Sequence, residues 1–109
     1  MAYNQSSAER IRAQMRKNPG FVEKKMFGGI CFLLNGNMAG GILNDDIIVR
    51  VGKEAYEECL ASPYAKQFDI TGRPMTGWVM VAPEGYQSDA NLKEWLQKGI
   101  DFAKTLLPK

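Results

Sequence analysis

The sequence contains no histidine among its 109 residues. This absence removes the commonest general acid–base group and the usual partner of a serine or cysteine nucleophile. An enzyme built on this chain would have to work with carboxylates, lysine or tyrosine. We therefore predict a protein that is not an enzyme, with no catalytic residues and no cofactor.

Cysteine is also scarce, with only Cys31 and Cys59 in the chain. The two residues do not form a CxxC motif, and no histidine is present to complete a zinc site. Both lie among apolar neighbours, which is typical of buried, inert thiols. We predict no metal site, and a cytoplasmic location disfavours a disulfide between them.

Long hydrophobic runs are missing too. No apolar stretch approaches the roughly 20 residues that a membrane-spanning helix needs. The first residues are mostly polar and do not resemble a signal peptide. The sequence therefore predicts a cytoplasmic protein without a membrane partner, and its length fits a single domain over residues 1–109.

Neither sign of charge dominates, because the chain has 14 basic and 12 acidic side chains. Bulk electrostatics therefore does not indicate nucleic-acid binding. Four basic residues nevertheless cluster near the N-terminus, and they are candidate phosphate contacts under an alternative hypothesis of direct DNA binding. A solvated helix face is the commoner explanation of such a cluster. These residues are Arg10, Arg12, Arg16 and Lys17.

Turn signals organise the middle of the chain. Asn35-Gly36 lies between two apolar runs and suits a two-residue type I′ turn, in which both central residues have positive φ. Asn44-Asp45-Asp46 marks a second turn about one strand length later. The sequence between residues 26 and 51 is therefore predicted to form an antiparallel meander.

Helical periodicity marks three further segments. Ser6 and Glu9 form a capping-box pattern that predicts the start of the first helix at Ser6. A short helix is predicted over residues 52–60. A longer helix begins at Ser88 or Asp89 and carries an apolar stripe up to Leu106. Clusters of strands between these helices predict an α+β fold with a mostly antiparallel sheet, in the order α-β(3)-α-β(2)-α, with the helices chiefly on one face.

Several motifs resemble the TfoX N-terminal-domain family. They are Met26-Phe27-Gly28-Gly29, Arg50-Val51-Gly52, and Thr71-Gly72-Arg73-Pro74-Met75 followed by Trp78. The resemblance extends from about Val22 to the end of the chain. It implies a two-layer α/β sandwich of the secretion-chaperone type, and a connection with regulators that promote transcription of DNA-uptake genes in bacterial competence. Full-length competence regulators carry a second, C-terminal domain, so this chain is expected to be a stand-alone copy of the N-terminal domain.

The turn at residues 71–75 places Arg73 at its tip. Together with Lys24, Lys25 and Arg50, Arg73 is a candidate for binding an anion or a carboxylate of a partner. Arginines in such turns more often pair with acidic residues of their own chain, and Asp69 is near in sequence.

The strands of the meander are apolar on both faces. If helices cover one face, then apolar residues on the other face need a different cover, either flanking helices that wrap around the sheet or a second subunit. These residues are Cys31, Leu33 and Ile48, with Val79 and Val81 as further candidates. They are therefore candidate interface residues, either in a homodimer or in a complex with another protein. The leading hypothesis is a non-enzymatic protein-interaction module that acts in transcriptional regulation of competence. Direct DNA binding is the alternative, and a small-molecule sensor or enzyme has the least support.

Overall fold

The computed structural model describes residues 5–26, 29–68 and 76–107. These residues form three α-helices and one six-stranded antiparallel sheet. The predicted α+β class is therefore confirmed. In chain order the elements are α1 (Gln5–Met15), β1 (Phe21–Met26), β2 (Gly29–Leu34), β3 (Asn37–Leu43), β4 (Asp46–Arg50), α2 (Lys53–Leu60), β5 (Ala65–Gln67), β6 (Trp78–Val81), a short 3-10 helix (Pro83–Gly85) and α3 (Asp89–Lys104).

The two predicted turns shape the meander. Asn35 and Gly36 both have positive φ, at 53° and 85°, as a type I′ turn between β2 and β3 requires. Asn44, with a φ of 56°, occupies the turn between β3 and β4. Asparagine tolerates this left-handed region better than other non-glycine residues do. Both turn predictions are confirmed, and they fix the register of the central strands.

The sheet has the strand order β1-β2-β3-β4-β6-β5, so four consecutive strands lie side by side. The predicted order placed three strands before the second helix, whereas the structure has four. The difference arises at residues 21–26. The sequence pattern predicts a strand or an extended lead-in over residues 21–27, and the structure has a full strand there, since β1 pairs with β2 along its whole length. In the sequence, Lys24 and Lys25 interrupt the alternation of apolar residues there and weaken the strand signal.

The helices pack on one face of the sheet and form the main hydrophobic core. Ile11 and Met15 of α1 are buried against it. The predicted apolar stripe of α3 is confirmed, and Ser88 caps this helix by accepting a hydrogen bond from the backbone N–H of Asn91 at 3.1 Å. In α1, by contrast, the predicted cap is wrong, because the helix already includes Gln5 and Ser6. No helix in the described part of the chain is long and apolar enough to cross a membrane.

Tyr86 ties three separate segments together. Its hydroxyl donates to the carbonyl oxygen of Asp45 in the β3–β4 turn. The same hydroxyl lies 3.1 Å from the Ser7 hydroxyl of α1. Arg10 of α1 donates to the carbonyl oxygens of Tyr86 and Gln87, both at 3.0 Å. The start of the chain is thereby fastened to the segment that leads into α3.

Candidate functional site

The face of the sheet opposite the helices can be traced by a row of paired residues that runs across all six strands. Directly opposed residues of antiparallel strands lie on the same face, so the register identifies this row across all six strands. We call this side the second sheet face. Its central row consists of Lys24, Cys31, Gly41, Ile48, Met80 and Lys66.

The second sheet face is largely apolar. Cys31 and Ile48 are buried, at 4% and 5% exposed, and both lie outside the main hydrophobic cluster. Phe68 is likewise buried, and its ring packs against Trp78 with the centroids 6.1 Å apart. The remaining apolar side chains are accessible to solvent in part. Leu33, Met38, Trp78 and Met80 are partly buried, and Val22 is 50% exposed.

The predicted interface residues therefore differ in accessibility. Leu33 reaches solvent, whereas Cys31 and Ile48 are buried within the single chain. A partner that docks on the second sheet face would contact Leu33 directly. The same partner would not contact the buried Cys31 and Ile48 directly, but only the residues around them. The assignment of these three residues to an interface remains a prediction. The placement of Val79 and Val81 beside them is wrong, because both lie on the helix side, fully buried in the main hydrophobic core.

Arg50 is held between two aromatic rings at one end of the sheet. Its guanidinium carbon lies 5.1 Å from the centroid of the Trp78 ring and 5.1 Å from that of Phe102. Trp78 is the residue directly opposite Arg50 in the β4–β6 pair. Arg50 also donates through Nη1 to the carbonyl oxygen of Met38, at the long distance of 3.5 Å. Guanidinium groups stack on aromatic faces in this way when they are partly withdrawn from water.

A glycine allows Phe102 to approach this site. Gly52 has a φ of 86°, and a Cβ atom built on it would lie 2.6 Å from the Phe102 ring. Because glycine has no Cβ, the C-terminal half of α3 can pack directly on the β4–α2 junction. Backbone geometry thus places the Phe102 ring beside Arg50.

The other predicted cationic residues do not join Arg50. Lys24 and Lys25 are exposed on β1, at the edge of the sheet. Two strands separate β1 from β4, which corresponds to a distance of roughly 14 Å at the usual strand spacing. Lys24 is on the second sheet face and Lys25 is on the helix side. Arg73 lies outside the described residues, and so does Asp69.

The predicted nucleic-acid contacts divide into two pairs. Arg10 lies 3.1 Å from the carboxylate of Asp89, in addition to its bonds to backbone carbonyls. Arg12 donates two hydrogen bonds to the carboxylate of Glu23, at 2.6 and 2.9 Å. These bonds, and then the charge of Arg12, lower the pKa of Glu23, partly offset by burial. Both guanidinium groups are therefore occupied within the chain.

Arg16 and Lys17 follow the end of α1 and are exposed. Neither forms an ion pair with any described residue. Lys17 borders a groove between α1 and α3, and Lys93 of α3 borders the same groove. The fold therefore adds a basic residue, far away in sequence, to the predicted N-terminal cluster.

Neither thiol is poised for chemistry. Burial raises the pKa of Cys31 above its usual value. Burial also raises the pKa of Cys59, an effect that Lys98 opposes. The thiolate is the nucleophilic form, so both cysteines are disfavoured as nucleophiles at neutral pH. Among residues 5–26, 29–68 and 76–107, no group of three or more Cys, Asp or Glu side chains is arranged to hold a metal ion.

Sequence reasoning singled out Arg50 but missed the aromatic residues that hold it. In the sequence, Trp78 belongs to a family motif and Phe102 falls within the apolar stripe predicted for α3, and neither signal indicates a contact with Arg50. The strand register would have paired Trp78 with Arg50, but it depends on a connection of 27 residues between the two strands. No local pattern indicates that Phe102 reaches the end of the sheet, since this depends on how α3 crosses β4.

A six-stranded antiparallel sheet with helices on one face and an apolar opposite face defines a small α+β domain. Residues 13–103 of the chain match the TfoX N-terminal domain family. This match covers most of the 109 residues, and the chain belongs to that family. Membership suggests a regulatory role related to competence. A search among curated proteins found no matching relative.

Proposed function

We propose that this protein is a non-enzymatic interaction module of the cytoplasm, which binds a protein partner in the transcriptional regulation of bacterial competence. The partner docks on the second sheet face. The observation that carries this proposal is the partly exposed apolar surface of Leu33, Met38, Trp78 and Met80, which no helix of the described residues covers. Apolar patches of this kind mark interaction sites in soluble proteins.

The chemistry of the chain supports a binding role over catalysis. The sequence has no histidine, and both thiols are buried with raised pKa values. Tyr86 is buried as well, and burial raises its pKa further from neutrality. The second sheet face also presents Trp78 and Arg50, and tryptophan and arginine are enriched in protein–protein hot spots.

A charge placed on the second sheet face should abolish partner binding. In Leu33→Glu a carboxylate replaces a partly buried apolar side chain, and a docked partner would have to desolvate it. We expect the variant to lose the proteins that the wild-type chain captures from the cells that express it. Quantitative affinity capture followed by mass spectrometry measures this loss. Sedimentation velocity on the same samples shows whether a second copy is the partner.

The matched control is Ala13→Glu, which adds the same charge at an exposed position of α1. This variant should retain the captured proteins. Circular dichroism must show that both variants are folded. Equal capture by wild type and a folded Leu33→Glu variant would contradict docking on the second sheet face.

Direct nucleic-acid binding is the second candidate. The observation that favours it is the groove between α1 and α3, which Lys17 and Lys93 border, together with the exposed Arg16 nearby. Phosphate contacts release counterions, so the affinity of such a complex falls steeply with salt. Two or three cations would give only weak binding.

Fluorescence anisotropy with a generic DNA duplex separates the two candidates. If the protein is a protein-binding module, we expect no salt-sensitive binding at low or physiological salt. If it binds DNA, Lys17→Gln combined with Lys93→Gln should weaken binding and reduce its salt dependence. Lys66→Gln on the opposite side of the sheet is the control, since its ammonium is 3.7 Å from Asp46 and away from this groove.

A further inference from the structure

Arg50 carries a positive charge that no carboxylate of the described residues neutralises. The side chain is partly buried, and two aromatic rings flank its guanidinium group. The other two arginines that are partly buried, Arg10 and Arg12, each have a carboxylate partner. Arg50 is therefore the exception among the partly buried arginines of the described chain.

The aromatic rings position the guanidinium group but do not accept hydrogen bonds from its N–H groups. A ring attracts the cation through its face, whereas the N–H groups of a guanidinium lie in its plane and point outward. Within the described residues, the one hydrogen bond that Arg50 donates is the 3.5 Å contact with the carbonyl oxygen of Met38. A stacked guanidinium with unused donors is a rigid fork that matches the two oxygens of a carboxylate.

The surroundings of Arg50 identify the kind of anion that fits. Met38, Trp78 and Met80 are apolar, partly buried and on the same face as Arg50. A nucleic-acid backbone would need several cations in a row, but the lysines of this face are at its far edges. The Trp78 ring already contacts Arg50 and Phe68, so it is not a free platform for a base.

We propose that Arg50 binds an aspartate or glutamate side chain of the protein partner, and that an apolar residue next to it in the partner packs against Met38, Met80 and the edge of Trp78. This inference rests on the proposed function, because it assigns the chemistry of the partner to the same face. A single desolvated arginine–carboxylate contact beside apolar side chains gives specificity for an acidic–apolar motif.

An unbiased peptide selection tests this proposal without knowledge of the natural partner. A random peptide library displayed on phage is panned against the immobilised full chain. We expect the enriched peptides to carry an Asp or Glu adjacent to an apolar residue. For the best peptide, changing that acid to its amide should weaken binding by about tenfold or more. Arg50→Lys should weaken binding similarly, because lysine keeps the charge but lacks the planar fork.

Control variants separate this proposal from the broader one. Lys53→Gln removes an exposed cation three residues away from Arg50 and should leave peptide binding unchanged. Arg50→Lys must retain the circular dichroism of the wild type, and Arg50→Gln provides a second test if it does not. Enriched peptides without an acidic residue, which bind Arg50→Lys as tightly as wild type but lose affinity for Leu33→Glu, would overturn the role of Arg50 and leave the proposed function intact.

Two further results would overturn both proposals. One is the absence of any enriched peptide. The other is a DNA duplex that competes with the selected peptides and whose own binding requires Arg50. Self-association of the chain that depends on Arg50 would overturn the assignment of the carboxylate to a different protein.

Discussion

Replacement of Gly99 by alanine should lower the free energy of unfolding by about 1–3 kcal/mol, the usual range for overpacking a core. A Cβ atom at this position of α3 would lie 2.3 Å from the carbonyl oxygen of Ala39 and 3.4 Å from Val49 Cγ1. The nearest atom belongs to the backbone of β3, so α3 or the strand must move. Thermal or urea denaturation measures the effect.

Whether Gly99→Ala lowers or raises the free energy of unfolding is informative, because helix propensity alone favours alanine over glycine by about 1 kcal/mol. Unchanged or increased stability of Gly99→Ala would mean that α3 does not pack this closely on β3. Lys93→Ala, at an exposed position of the same helix, is the control and should change stability by less than about 0.5 kcal/mol.

Replacement of Tyr86 by phenylalanine should also destabilise the fold, by about 1–3 kcal/mol. The change keeps the ring but removes the hydroxyl that bonds to the Asp45 carbonyl oxygen and to Ser7. Tyr86 and Ser7 are only 2% and 8% exposed, so the Ser7 hydroxyl loses this contact at a position with little access to water. Tyr64→Phe is the matched control, since Tyr64 is 47% exposed, and its stability should be unchanged.

The pH dependence of stability provides an independent test of the Tyr86 environment. Burial raises the pKa of Tyr86 above its usual value of 10.0. The Ser7 hydrogen bond opposes this increase, and the charges of Asp45 and Asp46 add to it. The protonated phenol is therefore favoured in the folded state. Its contribution to stability is complete below about pH 10 and is lost as the pH rises toward and through the folded-state pKa.

The free energy of unfolding should consequently decrease more steeply above about pH 10 in wild type than in Tyr86→Phe. Cys31 and Cys59 also have raised pKa values, so the stability that their protonated thiols contribute to the fold likewise falls from about pH 9 upward. They are present in both proteins, so the difference between the two curves isolates Tyr86. Parallel curves would show that the phenol is accessible to solvent in the folded protein.

The sequence predicts the meander and α3 well because their signals are local. Asn35-Gly36 must have positive φ values, and the α3 stripe repeats over four turns. The first strand was harder to assign, since Lys24 and Lys25 occupy alternating faces of an edge strand and hide its periodicity. The start of α1 was misplaced because a capping-box pattern can also occur inside a helix.

The candidate site was less predictable, because it is assembled from distant segments. Arg50 was recognised as a binding candidate, but its neighbours Trp78 and Phe102 are 28 and 52 residues away in sequence. The grouping of Arg50 with Lys24 and Lys25 assumed one continuous cationic edge. The order of the strands separates them, and strand order is set by pairing between distant segments rather than by local composition.

The position of β1 at the edge of the sheet bears on how the protein avoids aggregation. An edge strand exposes a row of backbone donors and acceptors that a second molecule can extend. Antiparallel pairing of two β1 strands would bring the exposed Lys24 and Lys25 of both molecules close together. Glu23 could not compensate, because Arg12 already holds its carboxylate. Repulsion between the four ammonium groups would therefore oppose extension of the sheet by a second molecule at this edge.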